Sequence, residues 1–195
     1  MPALLALALL LAAPAPPRPS ASALRRALEA AERALVEVHG RRPGGAGVLV
    51  GAEGQVLTAL RFVDAEGANV RLGNTVLGAR LLLASPSLRV AVLHMVGPGP
   101  FPAMPVQLTA PALGAWVVGI VLLADGAAEP RLGRLLQIPS EGGPWLAVSL
   151  RLPPGSLVLD GTGKLLGVVV EERHSDSLAA PLSAVRAELE SAAVR

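Results

Sequence analysis

The chain has 195 residues, is 52% hydrophobic with 16% charged residues, and carries a formal net charge of +2. Charge this close to neutrality gives no field for steering nucleic acid or acidic lipid, and two Phe, two Trp and no Tyr leave few platforms for stacking bases. The lack of any Cys excludes a disulfide framework, a thiolate metal site and a cysteine nucleophile, and the sequence implies no cofactor.

The apolar run Ala3 to Ala13 is too short to cross a bilayer and is followed by a Pro-rich stretch and Ala21-Ser22-Ala23. This order reads as a secretory signal peptide over 1–23, cleaved after Ala23, which directs the protein to the periplasm or outside the cell. If it is not cleaved, the segment stays as an anchor. Residues 24, 28, 31, 35 and 38 are apolar at the spacing of one helical face, which predicts a helix from Leu24 to Val38 with Ser22 as its cap and a Glu29–Arg33 pair. Gly40 and the run Arg41 to Gly45 end it as a linker, so that 24–45 forms an N-terminal helix and connection.

From Ala46 the texture changes to short apolar runs broken by Gly, Pro and Asn. Strands are predicted near 46–51, 55–60, 68–72, 75–84, 89–96, 104–108, 114–122, 131–138, 145–151, 156–160 and 164–171. Gly51-Ala52-Glu53-Gly54 and Gly73-Asn74 are predicted as hairpin turns. Gly142-Gly143-Pro144 lacks a following helix with a Lys and reads as a plain loop. Pro181 opens a closing helix with Leu182, Val185 and Leu189 on one face. The expected class is all-β, a barrel or sandwich between two helices, occupying 46–195.

Several motifs then fall into a known order. Gly45-Ala46-Gly47-Val48-Leu49-Val50 followed by Gly54-Gln55-Val56-Leu57-Thr58, then Val90-Ala91-Val92-Leu93, Leu113-Gly114-Ala115-Trp116-Val117-Val118-Gly119-Ile120, Gly163-Lys164-Leu165-Leu166-Gly167-Val168 and Ala179-Ala180-Pro181-Leu182 together resemble trypsin-like serine proteases of the HtrA/Deg type. The resemblance covers about residues 30 to 192 and implies two six-stranded antiparallel β-barrels with a cleft between them, without a PDZ domain. It also implies where the catalytic triad should be. The position matching the family's His is Arg61, and the position before the Val-Ala-Val-Leu run, matching its Asp, is Arg89. An ungapped count back from Gly167 puts Pro154 at the nucleophile's place. Matching the Pro-Gly pair instead, with a three-residue deletion, brings Ser156 near it.

Acyl transfer by serine needs a base within about 2.6–3.2 Å of the hydroxyl and an orienting group behind that base. It also needs N–H donors aimed at the developing oxyanion. A guanidinium cannot accept a proton, and proline has no N–H to give. The resemblance therefore implies a degenerate protease. Arg61 and Arg89 either are simply solvated or paired with Asp64 or Glu66, or form a cationic pocket for a carboxylate or an acidic peptide. The partner is then a peptide or protein, bound in part by strand addition. Two alternatives stand beside this: an active endopeptidase using Ser156 with a recruited base, and a structural module of an envelope complex contacting partners through the first helix. Of the three His, His39 is expected at the helix end, His94 in a strand, and His174 in a polar loop beside Ser175 and Asp176. Trp116 and Trp145 are expected in the core.

Overall fold

The computed structural model describes residues 17–40, 44–136 and 143–193. Most of the signal segment and the end of the predicted strand 131–138 lie outside the described residues. Among those described, no helix is long and apolar enough to cross a membrane.

Helix α1 runs from Ala21 to Ala34, capped by Ser20, whose hydroxyl accepts from Ala23 N–H at 3.2 Å. The cap is thus two residues earlier than expected, and the Glu29–Arg33 ion pair does not form. The helix also stops short of its predicted end. Leu35–His39 is strand β1, not the last helical turn. The reason is in the sequence: Leu35 and Val38 suit a helical face, but Val36 and Val38 alternate with Glu37, and β-branched residues pack best on a pleated surface. Val36 and Val38 are fully buried there.

The first barrel is closed by β1, β2 (Gly45–Leu49), β3 (Gln55–Ala59), β4 (Ala68–Leu72), β5 (Thr75–Ser85) and β6 (Val90–Met95), in the order β1-β2-β3-β6-β5-β4. A 3₁₀ turn, Leu60–Phe62, follows β3. The second barrel holds β7 (Trp116–Leu122), β8 (Ala128–Leu136), β9 (Leu146–Val148), β10 (Leu157–Asp160), β11 (Leu165–Glu172) and β12 (Ser177–Pro181), in the order β10-β11-β12-β9-β8-β7. All pairings within both barrels are antiparallel. Helix α2 (Leu182–Ala193) begins immediately after Pro181 and buries Leu182 and Val185.

Residues 104–108, expected as a strand, form the connection between barrels. Met104 N–H donates to the Leu49 carbonyl of the first barrel at 2.8 Å, and Gln107 N–H to the Leu165 carbonyl of the second at 2.8 Å. One parallel bridge, Val106 to Leu165, is all the pairing there. β7 is buried on both faces. Val118 and Ile120 join a large apolar cluster that takes residues from both barrels and both helices, while Val117 and Val121 face a second cluster within the second barrel. Hydrophobic burial thus continues across the barrel boundary.

Candidate functional site between the barrels

A cavity of about 460 Å³ opens where the two barrels meet. β1 contributes Glu37 and His39, the start of β2 contributes Gly45 and Ala46, and the 3₁₀ turn contributes Arg61 and Phe62. From the second barrel come Leu122 to Ala124 at the end of β7, and Pro153, Pro154 and Ser156 from the loop before β10.

That loop is held rigidly. Ser177, fully buried on β12, donates its hydroxyl to the Leu150 carbonyl at 2.9 Å and accepts from Leu152 N–H at 2.9 Å. Gly155 has φ +89, and a Cβ there would stand 2.5 Å from the Ala46 carbonyl oxygen of the first barrel. Only glycine allows both that backbone conformation and that approach. Gly155 N–H donates to the Val169 carbonyl at 2.8 Å, and Ser156 N–H to the Pro153 carbonyl at 3.1 Å. With Pro153 and Pro154 having none, every N–H of the loop is absent or committed. Ser156 itself is 2% exposed.

The sequence-derived residues are only partly brought together. Arg61 lines the cavity, its guanidinium 5.9 Å from the centre of the Phe62 ring, and among the described residues no carboxylate is within ion-pair range of it. Pro154 and Ser156 line the same cavity. Arg89 does not. It sits in the turn before β6 with φ +55, its carbonyl accepting from Leu60 N–H at 2.8 Å. Its guanidinium pairs with Glu171 of β11 and lies 5.6 Å from the centre of the Trp145 ring. The expected shared cationic pocket of Arg61 and Arg89 does not form, because Glu171 takes the Arg89 guanidinium across the barrel interface. Burial alone would raise the Glu171 carboxyl. Hydrogen bonds from Arg89 and Arg173 outweigh it and hold that carboxyl below its ordinary value.

Glu37 escapes sequence reading, and His39 is misplaced by it. His39 closes a strand and not a helix, and its Nε2 is 3.0 Å from Glu37 Oε2; Arg71 Nη1 lies 3.7 Å from the same oxygen. The signal for them was the two-residue spacing of Glu37 and His39, which puts both on one face of β1. Among the described residues, no hydrogen bond joins His39 to Ser156. His94 lies on β6 opposite Gln55, and His174 is in an exposed loop, both as expected. Trp145 is buried, whereas Trp116 is only half-buried, with the Arg18 and Arg134 guanidiniums 5.6 and 4.1 Å from its ring centre. Among the described residues no group of three His, Asp or Glu converges where a metal could sit.

Two closed six-stranded barrels with a cavity at their junction define the fold of trypsin-like serine proteases. Solved structures of such enzymes superpose on it. The serine endoprotease from Yersinia pestis matches with a TM-score of 0.75 and 21% identity, covering 87% of this chain and 66% of that one. The Rv3671c protease in its inactive form matches with a TM-score of 0.72 and 18% identity, covering 90% of this chain and 98% of that one. No family model matches the chain, and no curated protein matches it in sequence.

Proposed function

We propose that this protein is an exported trypsin-like serine protease homologue without a working triad, which binds a peptide or protein partner in the inter-barrel cavity. The observation that carries the reading is the Pro153–Ser156 loop, which has no N–H free to stabilise an oxyanion. Arg61 adds to it: a permanent cation stands at the position the resemblance matches to the general base. Export rests on the leader-like composition of residues 1–23. Partner binding draws support from the cavity's size, within the range of about 300–1,000 Å³ usual for ligand sites. The test is a fluorophosphonate probe on the full-length protein. No labelling of Ser156 is expected, and labelling that disappears in Ser156→Ala overturns the reading.

A second reading, an endopeptidase using Ser156, has one observation in its favour: Glu37, His39 and Ser156 all line one cavity, and Glu37 holds the imidazole. On that reading His39→Ala abolishes probe labelling as fully as Ser156→Ala. The envelope-module reading fares worse, since the α1 face that would dock a partner has Ala27, Ala31 and Ala34 buried within the protein's own core.

A further inference from the structure

The chemistry of the bound partner can be read from the cavity wall, on the footing of the binding role just proposed. Among the described residues three ionisable side chains line it: Glu37, His39 and Arg61. The Glu37 carboxylate already has the His39 ring at 3.0 Å and Arg71 at 3.7 Å. Arg61 has no carboxylate among the described residues, and its guanidinium is steadied over the Phe62 ring. Among the described residues the wall therefore has one unmatched charge, and it is positive. A guanidinium is shaped to take a carboxylate through two parallel N–H bonds.

The rest of the lining narrows the choice. Phe62, Leu122, Leu123, Ala124, Pro153 and Pro154 are apolar, and the committed N–H groups of the 153–156 loop leave few donors besides Arg61. A phosphate group, with more oxygens and more charge, would be left short of donors beside the anionic Glu37. A carboxylate needs only the one fork, and apolar walls strengthen that pairing by lowering the local dielectric. We infer that the cavity takes a peptide segment that carries a carboxylate next to apolar side chains, with Arg61 as the anchor. The carboxylate comes from an acidic side chain or from the peptide's own C-terminus.

Fluorescence anisotropy on the full-length protein separates these cases, using one labelled octapeptide of Ala, Leu and Ser in three forms: free C-terminal acid, C-terminal amide, and amide with one internal Asp. At least one acidic form is expected to bind about tenfold or more tighter than the neutral amide, the weight of a charge-assisted hydrogen bond. Whichever acidic form wins identifies the source of the carboxylate. Arg61→Gln is expected to abolish the preference, and Arg61→Lys to keep part of it. Arg61 is surface-exposed, and a thermal melt of each variant checks that the fold is intact. Equal binding of all three peptides, insensitive to Arg61→Gln, overturns the carboxylate inference while leaving peptide binding in place. Displacement of the acidic peptide by inorganic phosphate at equal or lower concentration overturns it too. If none of the three peptides binds, the inference and the binding role fall together; labelling of Ser156 by the fluorophosphonate overturns only the inactive reading.

Discussion

Gly155 is the residue on which the cavity's floor depends. Its φ of +89 and the 2.5 Å approach of a would-be Cβ to the Ala46 carbonyl act together. Gly155→Ala is expected to destabilise the protein by about 1–3 kcal/mol, read as a shift of the urea midpoint. Glu171 makes the other residue-level case. Its carboxyl is lowered from 4.5 by Arg89 and Arg173. A depressed folded value means the stabilisation is present above the unfolded value and is lost as pH falls through the folded one. Glu171→Gln is thus expected to be less stable than wild type at neutral pH, by no more than about 1 kcal/mol because solvent screens the pair. Urea titrations on the acid side of 4.5 should find the gap closing. The same scale shows what the site's letters could reveal. That Arg61, Pro154 and Ser156 would meet at one cavity was legible, since the order of the motifs set their places in the two barrels. That Arg89 faces Glu171 was not, because the pairing joins β11 to a turn of the other barrel. No local pattern records it.

Among the elements, α1 depends on its ends. In the uncleaved chain Ser20→Ala removes the side-chain cap of the first turn and is expected to lower stability by about 1 kcal/mol, with a matching loss of helical circular dichroism on mild heating. Legibility followed how far each element's pattern excluded its rivals. Strands β2 through β11 stood out because short apolar runs were bounded by Gly, Pro or Asn. β1 did not, because Leu35 and Val38 satisfied the helical period as well as the strand period. β12 was passed over for a different reason: Leu178-Ala179-Ala180 has little β-branched character, and only pairing with β11 and β9 makes it a strand. Residues 104–108 had the opposite fault, an apolar texture without a free strand to pair.

In the molecule as a whole, one apolar cluster gathers Val48, Leu49 and Val90 of the first barrel with Val118, Leu157 and Val168 of the second. Such a shared core argues against independent melting. A single calorimetric transition with equal van't Hoff and calorimetric enthalpies is expected, and two resolved peaks would show the barrels to be separate folding units. The double barrel itself was legible only as an ordered set of weak motifs, since closure rests on pairings such as β1 with β4 and β7 with β10 that no contiguous stretch encodes.

Helix α1 leads directly into β1 of the first barrel, yet it rests mainly on β8 of the second, touching β7 and the first barrel's β2 to a lesser extent, with Ala27 against Gly163. The six strands of the first barrel are contiguous in sequence and end at Met95, so their pairing needs no residue of the second. The alanine stripe of α1 therefore lacks most of its seat until β7, β8 and Gly163 are in place. Until the second barrel is in place α1 stays without most of its packing surface, and throughout that interval it is the stretch on which a holdase or a protease can act.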